Sequence, residues 1–135
     1  MSARHQHEMP FGAQILPDGR VRFGLWAPAA GSVDLVLEES GALLRMEACE
    51  DGWYRLVTAS ARAGSRYRFR IDGARSVPDP AARANDGVHG ASIVVDPRAY
   101  AWQASAWRGL PWERAVLYEL HVGTFTREGT FRALH

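Results

Sequence analysis

A chain of 135 residues carrying sixteen basic and fifteen acidic side chains has a formal net charge of +1, and 47% of it is hydrophobic. That is enough apolar material for one globular core, and too little chain for a complete (β/α)8 barrel, which takes roughly 250 residues. The near-neutral balance gives no electrostatic basis for holding nucleic acid or an anionic membrane, so neither is expected as a partner. Cys49 is the only cysteine, which excludes an intrachain disulfide and a cysteine metal site and suits a reducing, cytoplasmic compartment. No phosphate-cradling glycine loop, Gly-x-Ser-x-Gly elbow or His-Glu-x-x-His pair occurs, and no cofactor is expected.

Residues 1–10, with His5 and His7 and no apolar segment, read as a disordered polar tail without a secretion signal. From Ala13 to Val95 the chain is a series of short alternating runs. Ile15-Leu16 and Val21-Arg22-Phe23 flank Asp18-Gly19, the chemistry of a tight hairpin. Val21, Phe23 and Leu25 alternate with Arg22 and Gly24, and Ala27-Pro28 ends that strand because proline lacks the amide a ladder needs. Val33, Leu35 and Leu37 alternate around Asp34. Ser40-Gly41 separates them from Leu43 to Met46, and Asp51-Gly52 precedes Trp53 to Val57. Tyr67, Phe69 and Ile71 alternate with Arg66, Arg68 and Arg70, placing three large apolar groups on one face and three guanidinium groups on the other. Ser92 to Val95 reads as a closing strand after the irregular Val77–Asn85 segment. Strands at this spacing predict an all-β fold, an antiparallel β-sandwich over residues 11–97.

The composition then changes. Residues 98–114 carry Trp102, Trp107 and Trp112 with Gly109 and Pro111, and read as a linker with anchoring aromatics. Val116 to Val122 is a near-continuous apolar run, the pattern of a strand buried on both faces. Gly129 to His135 has the look of a helix start, with Thr130 as its cap. Residues 115–135 are therefore expected to be the opening of a second domain cut short at His135. The expected partner of the run 116–122 is the rest of that barrel domain; without it the run is expected to be disordered, folded back on the sandwich, or self-associated with another copy.

Several of these segments resemble a known family. Phe11-Gly12-Ala13 and Val21-Arg22-Phe23-Gly24-Leu25-Trp26-Ala27-Pro28 are similar to the opening of the immunoglobulin-like (early-set) module that precedes many α-amylase-type glycosidases. Tyr67 to Gly73 resembles a later strand of it. Pro78 to Arg83, Gly87-Val88-His89-Gly90 and Tyr118 to Thr126 narrow the likeness to the maltooligosyltrehalose trehalohydrolases, with a departure at Ala84-Asn85-Asp86. The resemblance implies a sandwich followed by a barrel, with residues 115–135 as the barrel's first strand and first helix. It implies a retaining hydrolysis of an α-1,4-glucosidic bond that releases trehalose, with two carboxylates about 5 Å apart. No position here matches those carboxylates, so no catalytic residue is assigned and the chain is expected to be inactive alone. The alternatives are an autonomous α-glucan-binding module, or the same domain of a branching or debranching enzyme.

Trp26 and Trp53 are the candidates for stacking on an α-glucan or maltooligosyltrehalose, each being weighed against simple packing; burying either ring would contribute roughly 3–6 kcal/mol. His121, Thr124 and Phe125 fall where the resemblance implies the rim of a substrate cleft, since barrel active sites lie at the C-terminal ends of strands. Asp72, Asp79, Asp86 and Asp96 each adjoin glycine or proline and read as turn residues, not metal ligands.

Overall fold

The computed structural model describes residues 11–101, 103–104 and 106–134. His5, His7, Trp102 and His135 lie outside the described residues. The contacts divide the chain into two units, Met1–Ala101 and Trp102–His135.

Among the described residues the first unit has nine strands: β1 Gln14–Ile15, β2 Val21–Trp26, β3 Val33–Leu37, β4 Ala42–Arg45, β5 Glu47–Ala48, β6 Trp53–Thr58, β7 Arg66–Ile71, β8 Arg75–Val77 and β9 Ser92–Ile93. They form two sheets, one in the order β1-β2-β6-β5 and the other β4-β3-β7-β8, with β9 also on β7. Every pairing is antiparallel. This is the antiparallel sandwich the alternation predicts. The turns fall where Asp18-Gly19, Ser40-Gly41 and Asp72-Gly73 place them. β5 and β8 were not legible in the sequence: both are short and mostly exposed, so neither has an inward apolar face to give it a period of two.

Alternation decides what is inside. Val21, Phe23 and Leu25 of β2 and Tyr67 and Phe69 of β7 are all buried. The two sheets meet where the Phe23 ring packs edge-on against Tyr67 with centroids 4.8 Å apart, and Tyr67 continues to Phe69 at 5.8 Å. Edge-to-face aromatic pairs add to the gain from burial alone. On the opposite face of β3 and β7, Asp34 sits between its cross-strand partners Arg45 and Arg70, with ion-pair distances of 3.1 Å to each. The loop around Ala84-Asn85-Asp86 is anchored by a bridge between Asn85 and Ser92 and by an Asp86–Arg66 ion pair at 3.2 Å.

The second unit contains a 3-10 turn at Trp112–Arg114, a helical turn α1 at Val122–Phe125, and a 3-10 turn at Phe131–Leu134. The strand expected over 116–122 is not formed among the described residues. A strand is defined by a ladder partner, and no other strand lies in this unit; Val122 instead enters a turn in which the amides of Thr124 and Phe125 both donate to the His121 carbonyl at 3.0 Å. Val116 and Leu117 are 93% and 79% exposed. Thr130 caps as its sequence position suggests, accepting from the Ala133 amide at its carbonyl (3.1 Å) and its hydroxyl (3.3 Å). Among the described residues, no helix is long and apolar enough to cross a membrane.

Candidate functional site

β2 and β6 run in register to their ends, where Trp26 lies opposite Trp53. Since Val21, Phe23 and Leu25 point inward, both tryptophans fall on the outer face, as the alternation requires. Their circumstances differ. The Trp26 indole N–H donates to the Asp51 carbonyl at 2.8 Å, which fixes the ring while leaving the residue 59% exposed. That carbonyl comes from a tight turn in which Asp51 (φ 56°) and Gly52 (φ 78°) are both left-handed. A Cβ on Gly52 would lie 2.5 Å from the Pro28 Cβ, so glycine alone lets the turn close on the end of β2. Trp53 is half-buried. Phe11 stacks on it at 5.5 Å with planes 30° apart, and the Arg55 guanidinium lies 6.0 Å from its ring centroid. Trp26 is therefore the open platform and Trp53 a supported wall.

Phe11 reaches Trp53 because its chain is pinned beside the 79–83 segment. Gly12 (φ 75°) approaches Ala81 so closely that a Cβ would lie 2.6 Å from its carbonyl oxygen. Arg83 then donates to the carbonyls of Ala13 (2.6 Å) and Phe11 (3.3 Å). The result is a cleft of about 320 Å³ lined by the three rings, by Gly24 and Leu25, and by Asp79, Pro80 and Ala81. That size is at the low end for small-molecule sites, which are typically apolar with a few convergent polar groups.

Asp79 is the one ionisable side chain in that lining. It is 3% exposed and accepts from the Tyr67 hydroxyl at 2.7 Å and the Ala81 amide at 2.8 Å. Its own amide donates to the Ser92 hydroxyl (2.8 Å), which donates to Asn85 (2.9 Å). Burial pushes the Asp79 carboxyl above the usual carboxylate range, against the opposing pull of Tyr67, Ala81 and the Arg83 charge. Burial, then the Asp79 charge, pushes the Tyr67 phenol well upward, so it keeps its proton and donates it to Asp79, while the Ala13 amide donates to the same oxygen. Neither Phe11 nor Asp79 stands out in the sequence as a lining residue. The available signal was Pro78-Asp79-Pro80 with Gly12, two rigid or permissive backbone positions 60-odd residues apart whose meeting no periodicity reports.

The other turn aspartates hold backbone and arginine. Asp72 accepts from the amides of Gly31 and Ser32, both at 2.9 Å. Asp96 caps a short turn through the Arg98 amide at 3.0 Å. In the second unit, His121, Thr124 and Phe125 come together in one helical turn. The Thr124 hydroxyl lies 3.3 Å from His121 Nδ1, and Phe125 meets Tyr118 edge-on at 6.1 Å.

A fold of this kind, with an aromatic cleft on one outer face, has known relatives. Residues 10–101 match carbohydrate-binding module 48, the isoamylase N-terminal domain. The chain belongs to this family. It is 39% identical over 127 residues to a malto-oligosyltrehalose trehalohydrolase of Saccharolobus solfataricus, covering 93% of this chain and 22% of that protein. It is 40% identical over 132 residues to the enzyme of the same name from Deinococcus radiodurans, covering 96% and 21%. A crystal structure of a Salmonella typhimurium protein described as an α-amylase superposes with a TM-score of 0.78 at 44% identity, covering 95% of this chain and 22% of that one. The chain thus spans about a fifth of the length of the curated relatives it matches. It corresponds to their non-catalytic N-terminal part.

Proposed function

We propose that this module-48 domain binds α-glucan through the Trp26 cleft, as the non-catalytic part of a trehalohydrolase-type glycosidase whose bond-breaking carboxylates lie in another domain. Such an enzyme would hydrolyse the α-1,4-glucosidic bond that releases trehalose from maltooligosyltrehalose. The observation that carries the glucan reading is Trp26: a large ring held in a fixed orientation by a hydrogen bond to Asp51, yet left open beside two further aromatic rings. A flat, immobile π-face suits the apolar C–H face of a glucose ring and loses little freedom when it binds. In the same reading His121, Thr124 and Phe125 would border the substrate path of the intact enzyme, a role supported by their gathering in one turn.

The test is a titration of the 135-residue chain with maltoheptaose, followed by tryptophan fluorescence. Saturation in the millimolar range or tighter is expected. Trp26→Ala should weaken binding about tenfold, the loss expected for one aromatic contact, with little loss of stability because the ring is more than half exposed. A flat response from the wild-type chain would refute the glucan reading.

A further inference from the structure

Two aspartates in this domain, Asp34 and Asp79, are each 3% exposed. A carboxylate removed from water is costly unless it is paired and hydrogen-bonded. Asp34 meets that requirement with two guanidinium groups, Arg45 and Arg70. Asp79 has no such partner. The charged group nearest to it in effect is Arg83, whose guanidinium is committed to the backbone carbonyls of Ala13 and Phe11. Of its other neighbours, Tyr67 titrates only far above neutrality, and Ser92 and Asn85 are uncharged. Among the described residues, the one buried carboxylate without a direct ion pair is therefore Asp79, and it lies in the lining of the Trp26 cleft.

The geometry leaves it capacity to act. An ionised carboxylate has about four acceptor sites, and the hydrogen bonds from Tyr67 and Ala81 occupy one on each oxygen. We infer that Asp79 is the polar anchor of the cleft, its carboxylate accepting hydrogen bonds from hydroxyl groups of a glucosyl ring whose apolar face lies on Trp26. The inference rests on the glucan reading above and adds to it the ligand's second requirement: adjacent hydroxyl donors beside an apolar face. It also explains the missing arginine. A guanidinium on Asp79 would consume the acceptor sites that the sugar needs, whereas Tyr67 and Ala81 hold the carboxylate in place and leave half of them open.

The experiment measures maltoheptaose affinity by tryptophan fluorescence, from neutral pH down through the carboxylate range, for the wild-type chain, Asp79→Asn, Tyr67→Phe and Trp26→Ala. Wild-type affinity should fall as Asp79 is protonated. Asp79→Asn should bind about tenfold more weakly at neutral pH, the loss of a hydrogen bond to a charged group, and should lose the acid dependence. Tyr67→Phe removes a hydrogen bond that favours the ionised carboxylate, so the acid midpoint of binding should move to higher pH. A role confined to stability would lower the melting temperature and leave that midpoint where it was. If Asp79→Asn fails to fold by circular dichroism, Tyr67→Phe decides alone. Wild-type binding that Trp26→Ala weakens, but whose pH midpoint Tyr67→Phe leaves unmoved, would overturn the role of Asp79 and keep the glucan reading. No wild-type response at any pH would overturn both.

Discussion

The outer faces of the two sheets treat charge in opposite ways. On the β3–β7 sheet the acidic groups are matched by arginine: Asp34 with Arg45 and Arg70, Glu38 with Arg68, and Asp86 with Arg66. On the β2–β6 sheet the corresponding surface is aromatic and opens into a cleft, beside a carboxylate, Asp79, that feels the Arg83 charge but makes no direct ion pair among the described residues. On the first face Asp34 meets both of its cross-strand neighbours, Arg45 and Arg70, which favours the register of β3 with β4 and β7. The second leaves a local rule unmet, and unmet local rules concentrate at sites of function. The comparison supports the β2–β6 side as the proposed glucan face on grounds independent of any relative.

The strongest way to break that comparison is to make Asp34 resemble Asp79. Replacing Arg45 and Arg70 together by methionine strands a carboxylate whose side chain is only 4% exposed, and breaking a buried pair in this manner costs about 3–5 kcal/mol. Urea unfolding of Arg45→Met/Arg70→Met should show that loss, and adding Asp34→Asn should recover most of it. A change below about 1 kcal/mol would mean that the two buried carboxylates do not differ as their partners suggest.

A smaller effect should come from the turn that aims Trp26. In Gly52→Ala the new Cβ would have to displace Pro28 and alanine would have to occupy a left-handed backbone, together about 1–3 kcal/mol by urea unfolding. Because the same turn presents the Asp51 carbonyl to the indole, maltoheptaose affinity should fall as well, towards the value of Trp26→Ala. Lost stability with unchanged affinity would show that the hydrogen bond does not orient the platform.

The strands with a buried face could be read directly, because β2, β3 and β7 each put two or three large side chains inward in strict alternation. Position on the outer face could be read for Trp26 and Trp53 by the same rule. What could not be read was how the two rings differ. Trp53 is covered by Phe11, a residue 42 positions away whose approach depends on Gly12 meeting Ala81, and such a meeting leaves no period in the sequence. Asp79 followed the same pattern. Its neighbours Pro78 and Pro80 announced a turn, but the burial that changes its chemistry comes from Tyr67 and the cleft wall. The apolar run at 116–122 shows the converse: it carries the period of a buried strand, but among the described residues it has no ladder partner and forms none.

The smallest predicted effect concerns acid stability, where the two kinds of carboxylate pull in opposite directions. Asp18 is exposed and Asp96 partly exposed, and both are held below the usual range by hydrogen bonds with Arg20 and Arg98, so whatever stability they contribute is present at neutral pH and declines in acid. Asp79 is pushed upward by burial, so the folded chain holds its proton more tightly than the unfolded chain. Its contribution is fully present below the unfolded value, about 3.9, and is lost as pH rises through the raised folded value. The difference in unfolding free energy between wild type and Asp79→Asn should therefore move in favour of wild type as pH falls. One proton limits the slope to about 1.4 kcal/mol per pH unit. Raising the salt concentration should shrink the Asp18 and Asp96 contributions, which face water, and leave the Asp79 difference curve in place. Over that same interval glucan affinity should decline, so acid would tighten the fold while emptying the cleft. A difference curve that is flat, or that favours Asp79→Asn in acid, would show that the carboxylate is satisfied by Tyr67 and Ala81 alone and holds no capacity in reserve for a ligand.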